Sequence, residues 1–374
     1  MKRPAERHHA RLVPEEGMFH RRTILAVGAA LLAAPLSIPF AGWTSPAKSG
    51  ELTVLIWPEY LDAGVVRDFE ERHGVTIRQI PYDSEQQRDQ LLLKKGADAF
   101  DLVVVNRLNL AAYARRKWLT PLEPARLQHL DRLDRRWLSE PDETGKWLGL
   151  PYFWGNVGLA WRADKLAAAP TGWMDFFRPG AALRGRIQAM DSAREMVGLA
   201  LMALGHSVNA EEESALAGAE ALLMAQKPFV RNYRYIDLSP ASPLVTGEVW
   251  MAMVFNGDAL KLREFHPQIH YVQPREGSLL WLDDLALGGR QSGRELAVAF
   301  LEHLLLDPVI AARNAESLHF ASPNHEALPL TSIAYREDPI VFPSEEELRR
   351  SEMVRPVAAR AQRRINDIMA RLLK

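Results

Sequence analysis

The chain has 374 residues, 46 Lys and Arg against 47 Asp and Glu, a formal net charge of −1 and no cysteine. Near-neutral charge leaves no whole-molecule field to collect nucleic acid or to coat a membrane surface. The lack of cysteine excludes disulfides, thiolate metal sites, a cysteine nucleophile and a lipid-modified cysteine after a signal; the length suffices for two domains with cores of their own.

Met1 to Gly17 is polar, mixes both signs of charge and carries no structural pattern. His20-Arg21-Arg22 then leads into an apolar run from Ile24 to Trp43 and a small-residue exit at Ser45-Pro46-Ala47. A charged start, an apolar core and a small-residue exit make a secretory signal, so the expected location is the periplasm. The arginine pair allows the twin-arginine route, and the general secretory route fits equally. Pro35, Pro39 and the interior glycines weaken a spanning helix, so cleavage and no lasting membrane insertion are expected.

Leu52 to Trp57 is a β-branched, apolar strand. A helix with Leu61, Val65, Val66 and Phe69 on one face ends at His73-Gly74. Val75–Tyr82 reads as a strand, Ser84–Lys95 as a helix and Phe100–Val105 as a strand, which together make a βαβαβ opening and a mostly parallel sheet covered by helices. In such sheets ligands sit beyond the carboxyl ends of the strands, here Trp57-Pro-Glu-Tyr60, Tyr82-Asp83-Ser84 and Asn106-Arg107. A short strand at Val157–Trp161 opens a second unit, with strands at Arg186–Met190, Val249–Phe255, Ile269–Gln273 and Ser278–Leu287. Helices are expected at Glu195–Leu204, Glu211–Gln226 and Gly293–Leu306, the last stopped by Asp307-Pro308. Arg355–Lys374 is helical by period; its arginines read as a solvated face over Val357, Ile365, Ile368 and Leu372 rather than as a nucleic-acid site.

No nucleophile elbow, phosphate loop, dinucleotide fingerprint or His-Glu-x-x-His motif is present. Pro267 between His266 and His270 argues against a helical metal pair and leaves both as loop residues. Asp283-Asp284, and Asp191 with Glu195, are paired carboxylates that acid–base chemistry could use, without a nucleophile beside them. Ten tryptophans are placed mostly near turns, as on a binding surface. Aromatics beside acids recur at Trp57-Pro-Glu-Tyr60, Phe255-Asn-Gly-Asp258 and Trp281-Leu-Asp283, and aromatic faces with carboxylates hold organic cations.

These residues resemble the periplasmic spermidine/putrescine-binding proteins that deliver polyamines to ABC importers. The resemblance runs over nearly all of residues 51–374. Its markers are Trp57-x-Glu-Tyr60, Tyr82-Asp83-Ser84, Phe100-Asp-Leu-Val-Val, Leu150-Pro-Tyr-Phe-Trp-Gly, Asp191-Ser-Ala-Arg-Glu195, Gly247-Glu-Val before Asn256-Gly257, Trp281-Leu-Asp283 and Ser322-Pro-Asn324. It implies an α/β, type II periplasmic-binding fold of two lobes with a hinge and an interlobe ligand cleft. The implied layout is an N-terminal extension and export signal at 1–47, lobe I at 48–155 and 276–322, lobe II at 156–275, and a C-terminal helical segment at 323–374 packing across to lobe II. The crossings are expected near 154–158 and 274–278.

Carried over position by position, the resemblance implies a ligand site of Trp57, Tyr60, Ser84, Asn106, Glu195, Phe255, Asp258, Trp281, Asp283 and Phe320. Glu195, Asp258 and Asp283 would meet ammonium groups, and Trp57, Tyr60, Phe255 and Trp281 would flank the methylenes. Phe255 stands where the family usually has Trp, Phe320 replaces Tyr and Asn106 replaces Ser. Leu108 replaces an aromatic, Ser192 replaces Asp, and Met353-Val354 lacks the polar contact of the family. A lost carboxylate removes a charge-assisted contact worth about 1.5–3 kcal/mol, which points to a short diamine rather than spermidine. A monomeric receptor with a permease as partner, no cofactor and no catalysis is implied. Receptors for another organic cation or an amino-acid-derived solute, and a periplasmic sensor, are the alternatives.

Overall fold

The computed structural model describes residues 50–374; the export signal read at residues 1–47 lies outside them. Ten strands form the sheet framework: β1 (Gly50–Ile56), β2 (Val75–Pro81), β3 (Leu102–Asn106), β4 (Leu150–Arg162), β5 (Ile187–Ala189), β6 (Val230–Tyr233), β7 (Met251–Phe255), β8 (Ile269–Val272), β9 (Leu279–Leu287) and β10 (Glu352–Met353). Their order is β2-β1-β3-β9-β4-β7-β5-β6, with β10 on β9 and β8 on β4.

Both ends of this order are parallel, as the βα alternation requires: β2, β1 and β3 on one side, β7, β5 and β6 on the other. The middle is not. β9 runs antiparallel to β3 and to β4, and β4 runs antiparallel to β7 and β8. The sheet is therefore mixed rather than mostly parallel, because β4 and β9 are long return strands and not the products of crossover helices.

β4 is also longer than the short strand expected from Val157. All thirteen of its residues are buried, so no period-2 alternation marks its start. Leu150 to Asn156 pair with β9, and Val157 to Trp161 pair with β7. One strand thus pairs with both halves of the sheet and changes partner at Asn156/Val157.

Helices cover both lobes. Ala63–His73 starts at Asp62, whose carboxylate accepts from Gly64 N and Val65 N at 2.9 Å, and ends at Gly74 in the left-handed region (φ 63°). Val65, Val66 and Phe69 form its buried face. The helix expected over 293–306 forms as Arg294–Leu301 with a wider turn through Leu306. Asp307-Pro308 stops it and also starts the next helix: Asp307 caps Pro308–Leu318 from the N-cap position, with proline at the first turn. In the C-terminal helix, Ala359–Leu372, Ile365, Ile368, Met369 and Leu372 are buried. Its Arg364 reaches Glu213 at 2.8 Å and Glu220 at 2.7 Å on helix Glu213–Gln226, so that arginine is ion-paired across a packing contact, while Arg360 and Arg363 are exposed as a solvated face would have them. Nor are the tryptophans mainly a surface feature: Trp118, Trp137, Trp154, Trp161, Trp173 and Trp281 are buried. His270 lies in β8 rather than in a loop, and His266 follows the helix Asn256–Phe265.

Candidate functional site

A cavity of about 420 Å³ opens at the carboxyl ends of β1, β3, β7 and the turns that follow β2 and β5. All ten residues picked out from the sequence line it: Trp57, Tyr60, Ser84, Asn106, Glu195, Phe255, Asp258, Trp281, Asp283 and Phe320. They come from both lobes, so the cavity is a cleft between them.

On the first lobe, β1 ends at Ile56 and delivers Trp57 and Tyr60 to the cleft through a turn in which Glu59 holds φ 52°. The Tyr60 hydroxyl donates to Asp283 Oδ2 at 3.2 Å. Ser84 is the N-cap of helix Glu85–Lys95, its Oγ accepting from Gln87 N at 3.2 Å. Asn106 caps the turn after β3, its Oδ1 accepting from Leu108 N at 3.0 Å. On β9, adjacent residues point to opposite faces. Asp283 faces the cleft, while Asp284 is buried behind it against Arg107, with Nε and Nη2 each 2.5 Å from a carboxylate oxygen. The adjacent acids therefore do not act as a pair.

On the second lobe, Phe255 ends β7, and Asp258 stands in the first turn of helix Asn256–Phe265. Glu195 occupies the first turn of helix Ala193–Ala203 after β5. A helix N-terminus favours an anion there. The Tyr235 hydroxyl donates to Asp258 Oδ2 at 2.8 Å.

The aromatic rings form a continuous lining. Trp57 stacks on Tyr235 across the cleft with centroids 6.1 Å apart and planes at 28°; Tyr235 meets Phe255 at 6.2 Å, Phe255 meets Trp281 at 5.6 Å, and Trp281 meets Phe320 edge-on at 5.2 Å. The walls are thus largely π-faces and the polar groups are mostly acceptors.

Burial sets the acids' behaviour. The carboxyls of Asp258, Asp283 and Glu195 are each pushed up to about 7. Loss of water from the charged form is the main cause in all three. The neighbouring Glu85 charge adds to it at Glu195, and at Asp283 the Arg88 guanidinium works against it. Arg88 is itself buried, set against the Tyr82 and Tyr113 rings at 5.3 and 5.2 Å. Glu195 Oε2 is buried with no hydrogen-bond partner among the described residues.

Glu59, the acid of Trp57-Pro-Glu-Tyr60, lines the cleft as well, and so do Tyr235, Glu85, Lys261 and His319, which were not anticipated. Tyr235 follows β6 and obeys the same rule of an aromatic at a strand end, but β6 is a four-residue, half-exposed strand without a clear sequence signal. Lys261 is held by Glu264 at 2.9 Å, and the same carboxylate meets His319 Nε2 at 2.8 Å from the opposite lobe. Among the described residues no cluster of three or more His, Asp or Glu side chains is arranged to hold a metal ion, and no helix is long and apolar enough to cross a membrane.

Four of the positions that depart from the spermidine/putrescine-binding pattern lie together. Leu108, Ser192, Met353 and Val354 line a side chamber of about 30 Å³, which shares Glu85, Asn106, Glu195 and Trp281 with the cleft.

Residues 64–343 match the family model described as bacterial extracellular solute-binding protein. A spermidine/putrescine-binding periplasmic protein of Escherichia coli is 27% identical over 304 residues, covering 81% of this chain and 86% of the relative. A norspermidine sensor of Vibrio cholerae is 29% identical over 304 residues, covering 81% and 83%. Among solved structures, the spermidine/putrescine ABC transporter substrate-binding protein of Streptococcus pneumoniae superposes with a TM-score of 0.74 at 23% identity, covering 87% of this chain and 98% of that one. That likeness establishes the fold: the two-lobed periplasmic-binding architecture with a ligand cleft.

Proposed function

The chain belongs to the bacterial extracellular solute-binding protein family, and on that premise we propose that it is a periplasmic polyamine receptor serving an ABC importer. It holds a putrescine-like diamine in preference to spermidine, acts as a monomer and carries out no catalysis. The carrying observation is the set of three carboxylates, Asp258, Asp283 and Glu195, buried inside an aromatic lining that offers them no direct ion pair.

A buried carboxylate is stable in its charged form only beside a cation. A diamine supplies that cation at each end, and its methylenes cover the faces of Trp57, Tyr60, Phe255, Trp281 and Phe320. Ser84 and Asn106 each keep a donor at the first-lobe rim. Because the residues come from both lobes, ligand adds contacts that only the closed cleft makes, and closure presents both lobes to a permease. Spermidine carries a further ammonium, and the absence of a carboxylate among Leu108, Ser192, Met353 and Val354, which line the side chamber beyond Glu195, supports the shorter diamine.

The Vibrio cholerae relative's name favours a second reading, in which cleft occupancy is signalled to a membrane partner instead of feeding a permease. Thermal-shift titration against putrescine, cadaverine, spermidine, agmatine and choline tests the receptor role. Ligand at one hundred times its dissociation constant stabilises by about 2.7 kcal/mol, so putrescine should raise Tm clearly and more than equimolar spermidine does. A panel in which no amine moves Tm defeats the proposal.

A further inference from the structure

The side chamber beyond Glu195 differs in chemistry from the cleft it joins. Asp258 and Asp283 line the cleft only, whereas Glu195, Asn106 and Ser192 stand at the junction. Past them the walls are apolar at Leu108, Leu280, Met353 and Val354, and cationic at Arg107 and Arg194. The volume of about 30 Å³ gives room for a small group of a few heavy atoms.

The hydrogen-bonding valences are uneven. Arg107 is committed to Asp284. Arg194 Nη2 donates to Asn209 Oδ1 and to the Arg355 carbonyl, both at 3.0 Å, yet its Nε and Nη1 are buried without a partner, as is Glu195 Oε2. Asn106 spends its Oδ1 on Leu108 N, which leaves its amide nitrogen to donate. Of the two carboxylates at this end, Glu85 already accepts from Asn109 Nδ2 at 3.1 Å and pairs with Arg88, so Glu195 is the unengaged acceptor, beside several donors.

An ammonium group here would satisfy Glu195 but face Arg194 and leave the donors unmet. A carboxylate would satisfy the donors but face Glu195 and Glu85. An amide does both: its N–H donates to Glu195 and its C=O accepts from the donors, while a small alkyl cap sits against the apolar wall. We propose that the preferred ligand is a mono-acylated short diamine, with its free ammonium at Asp258 and Asp283 and its acetamido group at the chamber. This rests on the receptor reading above, keeps its ammonium at Asp258 and Asp283, and replaces the second ammonium at Glu195 with an amide.

Calorimetric titration of the purified protein with N-acetylputrescine, putrescine and γ-aminobutyrate provides the test. N-acetylputrescine should bind at least ~10-fold more tightly than either of the others, equivalent to about 1.4 kcal/mol. Equal or tighter binding of putrescine, or of γ-aminobutyrate, overturns the inference while leaving a receptor for the tighter ligand. If none of the three binds and the amine panel also leaves Tm unmoved, the receptor reading itself falls. Ser192→Asp provides a second, independent arm. Ser192 is the N-cap of helix Ala193–Ala203 without a side-chain cap bond, so aspartate suits the position and adds the carboxylate that an ammonium needs. The variant should reverse the preference, and an unchanged ratio of the two affinities would overturn the assignment.

Discussion

At the scale of single residues, Asp258, Asp283 and Glu195 hold protons to about pH 7 because burial strips water from their charged forms. A cationic ligand needs them ionised, so binding must release protons near neutrality. Affinity should tighten as pH rises from 6 to 8 and weaken below 6. Titrations at one pH in buffers of different ionisation enthalpy should give heats that scale with that enthalpy; heats independent of buffer would count against the linkage. Asp283→Asn keeps the shape and removes the charge, and should cost about 1.5–3 kcal/mol of affinity, roughly 10–150-fold, with a weaker pH dependence. Eight of the ten cleft residues were legible as candidates because strand ends and aromatic–acid neighbours are local patterns, while Glu195 and Phe320 entered the site through the family resemblance. Tyr235 was not, since its place opposite Trp57 depends on a strand too short and too exposed to announce itself, and the opposed directions of Asp283 and Asp284 follow only once the strand between them is granted.

At the scale of elements, the βα opening could be read because each piece has its own period and its own cap: Asp62 and Gly74 around the first helix, Ser84 before the second. The full extent of β4, the strand β10 and the helix Pro308–Leu318 could not, because their boundaries are set by partners far along the chain. The meeting of two helix ends gives a direct test. Gly257, at the start of helix Asn256–Phe265, leaves no room for a side chain: a Cβ there would come 2.3 Å from Phe320 Cε1, and Phe320 lies just past the end of helix Pro308–Leu318 on the facing lobe. Gly257→Ala should push the Phe320 ring or the lobe away. We expect ligand affinity to fall by at least ~10-fold, or about 1.4 kcal/mol, with ligand-free stability changed by no more than the ~1–3 kcal/mol of an overpacked contact. Calorimetry alongside denaturant unfolding separates the two effects, and undiminished affinity would show that this contact plays no part in closure.

For the whole molecule, the same three carboxyls make stability depend on pH in an uncommon direction. Their folded pKa values lie above the unfolded ones, so the native state holds more protons between about pH 4 and 7. That stabilisation is present at mildly acid pH and is lost as pH rises through 7. Carboxyls held down by partners, such as Asp164 beside Arg162 at about 2, act oppositely and only in stronger acid. Scanning calorimetry of the ligand-free protein should therefore show Tm falling from pH 5 to 8, and a saturating diamine should flatten that fall; a Tm rising over this range would contradict it. The two return strands have a mechanical consequence as well. Because β4 hydrogen-bonds to β9 in one half and to β7 in the other, the halves are joined by sheet rather than by loose chain. Opening the cleft must flex that shared ribbon, which makes the joint a leaf spring with a restoring force instead of a free pivot. Neither half can be cut out as a portable module without leaving a raw, unpaired strand behind.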